Sequence, residues 1–211
     1  MGSISSLQAD RVQIWQIDLD RPIHPIEELY ASLSSDEQAR GDRFRFERDR
    51  HKFIVARGML RSLLGQHLAV APEMLEFVYG DRGKPTLVNP HPEGTLHFNV
   101  SHSQGMALVA IALNRRVGID LEYLRPIDAD SLAQRFFSPQ EAAIIQTLPA
   151  PAKQQLFFRA WTQKEAYLKA TGEGLGKLEN VVVDLQGEPF RFLALGGDAI
   201  ENWTVQEVTV S

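Results

Sequence analysis

One order of elements occurs twice in this chain, and that repetition constrains the fold more than any single motif. Segment 47–68 carries Phe53, Val55, Ala56, Met59, Leu60, Leu63 and Leu64 at helical spacing, with Arg50, Lys52, Arg57 and Arg61 mostly off that stripe. A strand-like run LEFVY (75–79), a turn GDRGKP (80–85) and an extended TLV follow it. In the second half a helical segment from about 152 to 171 stops at Gly172 and is followed by VVVDL, QGEP and FRFLAL. The repeated order predicts an α+β protein of two similar α/β halves related by a pseudo-twofold, with a substrate cleft at the seam. At 211 residues the chain is long enough for two packed halves, taken as 1–113 and 114–211.

Further elements frame those halves. VQIWQID (12–18) alternates as a strand, and Ser34 or Ser35 caps a short helix through SDEQARGDRF. LHFNVS (96–101) and MALVAIAL (106–113) read as neighbouring strands around a short HSQG turn, and VGIDLE (117–122) as another strand. Ser138-Pro139-Gln140-Glu141 is a capping box with proline at the first helical position. WTVQEVTV (203–210) closes the chain as a last expected strand.

Composition excludes several chemistries. The absence of cysteine removes disulfides, thiolate metal sites and cysteine nucleophiles, and fits a cytoplasmic protein. The N-terminus lacks the basic start and apolar core of a signal peptide, and no stretch approaches the length of a membrane span, so no membrane partner is expected. A net charge of −5 disfavours a nucleic-acid-binding face, although segment 40–61 is strongly basic. That block is either a solvated helix face or a phosphate contact.

Two acidic segments carry the candidate chemistry. On a strand, Asp120 and Glu122 share a face, and two close carboxylates repel unless a cation or proton lies between them. A hard ion with oxygen ligands, Mg²⁺ or Mn²⁺, resolves the repulsion; a pair of acids on an exposed strand edge is the plain alternative. Trp161, Glu165 and Lys169 lie on one face of the second long helix. Glu165 and Lys169 are either an exposed ion pair or, given neighbours Phe157, Phe158, Ala166 and Leu168, a partly buried pair that needs a metal and a phosphate. Lys164 points elsewhere, as a surface group or a substrate contact. In NVSHS (99–103), His102 with the nearby hydroxyls Ser101 and Ser103 either binds a phosphate or caps its own turn. A Ser–His hydrolase is disfavoured, because strand neighbours face opposite ways and no G-x-S-x-G elbow is present. Lys84, beside a turn of two glycines and a proline, is a similar phosphate candidate.

The ordered set GKP, NVSHS, GIDLE, FFSPQE and WTQKEAYLKATGEGL resembles the Sfp-type 4′-phosphopantetheinyl transferases, whose helix motif is close to W-x-x-K-E-A. The resemblance covers roughly 50–185. It implies a monomer of two similar halves with coenzyme A in the cleft between them. It further implies transfer of the phosphopantetheine arm to a serine of an apo carrier protein of fatty acid, polyketide or nonribosomal peptide synthesis, with release of adenosine 3′,5′-bisphosphate. By motif match Asp120, Glu122 and Glu165 are the Mg²⁺ ligands (Mn²⁺ being possible), and Lys169 touches the phosphate under attack. Lys84 and His102, with Ser101 beside the latter, match positions that hold the phosphates of CoA. Lys52 and Arg57 in the basic helix and Lys164 in the motif are taken as further cofactor contacts. The carrier serine needs a base, for which Glu165 or a water on the metal is the candidate. Leu132, Phe136 and Phe137 either pack on the carrier helix or belong to the core.

Two other classes compete. A Mg²⁺-dependent phosphoesterase or nuclease of the D…(D/E)-x-K kind is disfavoured, because Leu124 and Tyr167 stand where that lysine is required. A non-catalytic CoA- or carrier-binding module is disfavoured by retention of all three carboxylates and Lys169.

Overall fold

An apolar stripe of helical period followed by an alternating one buries itself only when the helix lies on a sheet, and the first half of the chain does this. The structure, a computed structural model, describes residues 7, 8, 10–80, 82–88 and 94–210. The chain divides into two units, Met1–Val117 and Gly118–Ser211. The expected division at 113/114 differs because residues 114–117, after the last strand of the first unit, stay with that unit.

In the first unit, β1 (Val12–Asp18), β4 (Leu96–Ser103) and β5 (Met106–Leu113) form an antiparallel sheet of order β1-β5-β4. Val109 pairs with Trp15 on one side and Val100 on the other. β5 is buried almost throughout, as a central strand of Ala, Val, Ile and Leu should be. Helices α1 (Ile26–Ala31), α2 (Ser35–Gly41) and α3 (Glu47–Leu68) follow β1. Ile54, Val55, Leu60 and Leu64 of α3 join Ile17, Phe98, Val109 and Ile111 in one core. β2 (Phe77–Tyr79) and β3 (Pro85–Leu87) make the small hairpin expected around GDRGKP, of which Asp81 lies outside the described residues. Residues 1–6, where no signal sequence is expected, also lie outside them.

The second unit also runs from a long helix through a 3-10 turn to a two-stranded pair. α5 (Pro139–Gln146) and α6 (Ala150–Thr171) are followed by a 3-10 turn (Leu175–Asn180) and by the antiparallel pair β6 (Val181–Val183) and β7 (Phe192–Leu195). α4 (Ala129–Phe136), capped by Asp128, precedes them. Phe137 stacks on Phe157 at 5.0 Å between centroids, and Phe157 on Trp161 at 5.6 Å, within a core that also holds Ile145, Leu168, Leu178 and Val183.

The two units share a buried polar motif as well as an order. In the first, Glu37 of the α2 capping box accepts from Arg61 of α3 at 2.6 Å, and Arg61 donates to the carbonyls of Pro72 and Leu75. In the second, Glu141 of the α5 capping box accepts from Lys164 of α6 at 2.8 Å, and Lys164 donates to the carbonyls of Leu178 and Val181. In each unit the acid fixes the start of a short helix. A cation from the next long helix then ties that acid to the turn leading into the hairpin.

Two expected strands are absent. VGIDLE forms no ladder; it runs against α6, with the bare Cα of Gly118 in contact with the helix backbone. WTVQEVTV is held by side chains instead. Trp203 Nε1 donates to Asp198 at 3.0 Å, and Glu207 pairs with Arg159 at 2.7 Å. α1 and α4 are short helices that the sequence pattern does not predict. Among the described residues no helix is long and apolar enough to cross a membrane.

Candidate active site

The acidic cluster of the second unit is built by one close crossing. A Cβ on Gly118 would lie 1.8 Å from the Ala166 carbonyl oxygen and 2.7 Å from the Ala170 amide nitrogen, so only glycine fits there. Ile119 buries its side chain next in sequence, and Asp120 is thereby set beside α6 with its carboxylate 3 % exposed. α6 is fixed on its other sides by buried Phe157, Phe158, Tyr167 and Leu168, and it ends where Gly172 takes a left-handed φ of 81°. On the remaining face stand Glu165 and Lys169, 15 % and 30 % exposed.

Lys169 Nζ lies 2.5 Å from Asp120 Oδ1 and 3.7 Å from Glu165 Oε2. Burial pushes the pKa of Glu165 up, and the neighbouring Asp120 pushes it further, with a smaller push from Glu122; Lys169 pulls it back. Glu122 is raised for the same reasons, burial first and Asp120 second, against Arg125 and Lys169. The structure therefore brings Asp120, Glu122, Glu165 and Lys169 together, although the strand expected to align the first two does not form. Among the described residues no group of three or more Asp, Glu or His side chains is gathered closely enough to hold an ion as it stands. The donor set nevertheless suits a hard divalent cation. It is carboxylate oxygen throughout, and its crowding already disfavours the charged form of two members, a strain that a cation relieves.

Basic groups gather separately in the first unit. Lys84, at the entry to β3, is half-buried; burial lowers its pKa, and Arg116 lowers it further. His97 on β4 is lowered by burial, then by Lys84 and Arg116. His97 and Arg116 do not figure in the sequence-based site. The signal was there for His97, since positions 97, 99, 101 and 103 of LHFNVSHS put His, Asn, Ser and Ser on one strand face. Ser101 is buried on that face, whereas His102 is exposed on the other, opposite Ala107. Lys52 reaches the turn after β4, donating to the Gln104 carbonyl at 2.9 Å and pairing with Asp20 at 3.3 Å.

Two expectations are corrected, and one open alternative is resolved. Lys164 is not a substrate contact: it is fully buried, its pKa lowered by burial and held up by Glu141, with its ammonium given to that acid and two backbone carbonyls. Arg57 is a structural group, paired with buried Glu37 at 2.7 Å and packed over Phe77. Phe137 is core, stacked on Phe157, while Leu132 and Phe136 pack partly buried against the same cluster.

Residues 22–114 match the family model described as 4′-phosphopantetheinyl transferase, N-terminal, and residues 116–208 match that of the 4′-phosphopantetheinyl transferase superfamily. The chain is 51 % identical over 181 residues to the 4′-phosphopantetheinyl transferase HetI of Nostoc sp., covering 85 % of this chain and 76 % of that protein. The chain belongs to the 4′-phosphopantetheinyl transferases. A putative transferase of Synechocystis sp. is 39 % identical over 188 residues, covering 88 % of this chain and 75 % of the relative. The transferase Sfp of Bacillus subtilis is 27 % identical over 166 residues, covering 78 % and 72 %. The carboxylate cluster falls in the segment that matches the superfamily model, and the Lys84–His97 group in the segment that matches the N-terminal one. This transferase is thus an enzyme whose two charged clusters lie in two separately recognised segments.

Proposed function

We propose that the protein moves the 4′-phosphopantetheine arm of coenzyme A to a serine of an apo carrier protein of fatty acid, polyketide or nonribosomal peptide synthesis. Adenosine 3′,5′-bisphosphate is the product released. The observation that carries this reading is the Gly118 crossing, which sets Asp120 against Glu165 and Lys169. Asp120, Glu122 and Glu165 would hold Mg²⁺ or Mn²⁺. Such an ion supplies charge neutralisation on the diphosphate and its leaving group. Lys169 adds a fixed positive charge at the phosphate under attack. The serine Oγ forms a bond to phosphorus as the bond from phosphorus to the bisphosphate oxygen breaks. Glu165 takes the serine proton.

In the first unit Lys84, His102 and Lys52 are proposed to take the remaining phosphates of CoA, with His97 and Arg116 supporting Lys84. The shared element order and the matched Glu37–Arg61 and Glu141–Lys164 motifs support reading the chain as a duplicated half with a pseudo-twofold. The test is incubation with CoA, Mg²⁺ and an apo carrier. A mass gain of about 340 Da on the carrier is expected, the mass of the arm that the cofactor carries. No gain with carriers of all three classes overturns the reading.

A further inference from the structure

Lys169 faces the carboxylates of both Asp120 and Glu165. Its ammonium sits 2.5 Å from Asp120 Oδ1, and Asp120 lies 49 positions away in sequence, so the contact is more than a helical i,i+4 pair with Glu165. Asp120 cannot withdraw: Gly118 is pressed on the Ala166 carbonyl, and Ile119 is buried. The α6 backbone cannot withdraw either, since Leu168 and Ala170 on both sides of Lys169 are buried. The side chain of Lys169 is the mobile part. It is a partly exposed four-carbon stem ending in a compact charge that one rotamer change relocates.

We propose that Lys169 is the resident counter-ion of the carboxylate cluster in the metal-free protein. An incoming divalent cation displaces it from Asp120, and that displacement frees the ammonium for the substrate phosphate. The proposal rests on the metal-dependent transfer described above and adds an ordering to it: metal entry precedes the phosphate contact of Lys169. A divalent ion and an ammonium on the same Asp120 carboxylate repel one another at close range, so the two compete for one position. The exchange replaces one positive charge with two, and the cluster never stands as three uncompensated acids. Displaced, the ammonium still reaches the face of α6 on which Glu165 stands, where a bound diphosphate would meet it.

The experiment uses the full chain, stripped of metal and without CoA. Mn²⁺ is titrated into the wild type and into Lys169→Met, and free ion is read by electron paramagnetic resonance. Removal of the competitor is expected to tighten Mn²⁺ binding by about tenfold, equivalent to about 1.4 kcal/mol. Equal or weaker binding by Lys169→Met overturns the proposal, as does an absence of binding by either protein. A second measurement needs no variant: the rate of amine labelling at Lys169, read by mass spectrometry, with and without Mg²⁺. Labelling should rise severalfold with Mg²⁺, while Lys153, paired with Asp130 at 2.7 Å, serves as the unchanged internal control. An unchanged rate at Lys169 overturns the exchange. If carriers are modified but neither readout moves, the exchange falls alone. If both readouts move and no carrier is modified, the transfer reading falls and the exchange stands.

Discussion

Replacement of Lys164 by methionine separates a structural lysine from a catalytic one. Lys164 is 0 % and Glu141 2 % exposed, so neither charge is screened by solvent. Glu141 Oε2 accepts from Lys164 Nζ at 2.8 Å, from Ser138 N at 2.9 Å and from Ser138 Oγ at 2.8 Å, while Oε1 accepts from Val183 N at 2.9 Å. Lys164→Met leaves that carboxylate buried without its cation, and it strips a donor from the Leu178 and Val181 carbonyls. Breaking one partner out of a buried pair costs about 3–5 kcal/mol. A chain of this length loses about 2–4 °C of melting temperature per kcal/mol, so a drop on the order of 10 °C follows. Lys164→Met combined with Glu141→Gln should recover much of the loss, because no uncompensated charge then remains. Thermal melts of the four members of the cycle measure the coupling. Hydrogen exchange at the Val183 amide locates it in the second unit. A melting temperature within about 2 °C of wild type, accompanied by a raised KM for CoA, would show that Lys164 is a substrate contact and refute the reasoning.

Four further outcomes are expected. Glu165→Gln should abolish transfer while leaving CoA binding measurable by calorimetry; wild-type turnover with Mg²⁺ would sink the role of that carboxylate. Without metal, the same variant should melt above wild type near neutral pH. The folded Glu165 carboxyl holds its proton more tightly than the unfolded one, so its contribution to stability is present below its ordinary 4.5 and is lost as pH rises through the raised folded value. The advantage of Glu165→Gln should therefore fade as the pH falls to about 4 in chelator, and an advantage constant with pH would contradict it. Gly118→Ala should lose Mn²⁺ binding and transfer together while amide protection in β5 persists, because the added methyl strikes α6 backbone. Lys84→Met should raise KM for CoA about tenfold at unchanged kcat, whereas Arg57→Met should lower stability and leave KM alone, since its partner is Glu37.

How much of this was legible in the sequence depended on how local the cause was. α3, α6 and the start of α5 could be read from period, glycine stop and capping box, and each forms where expected. β4 and β5 were also readable, because their turn and alternation lie in one continuous stretch. VGIDLE has the same residue types as a strand but lacks a ladder partner, and a partner is a tertiary fact. α1 and α4 have six and eight residues, too few to declare a helical period; contacts with α3 and with α5 and α6 hold them. The acids and Lys169 stand out in the sequence because a dense set of charges in an apolar run signals itself. Lys164 and Arg57 were misjudged because helical spacing reports direction, not depth. A lysine in an apolar helix looks the same whether its end meets water or Glu141.

The crossing at Gly118 has a thermodynamic corollary. Asp120, Glu122, Glu165 and Lys169 all belong to the unit Gly118–Ser211, so binding of the proposed divalent ion would be linked to the folding of that unit. An ion at a hundred times its dissociation constant contributes about 2.7 kcal/mol to whatever it holds together. On the proposed reading, amide protection within Gly118–Ser211 should therefore rise with magnesium, so the ion acts as a folding ligand of that unit as well as a reagent.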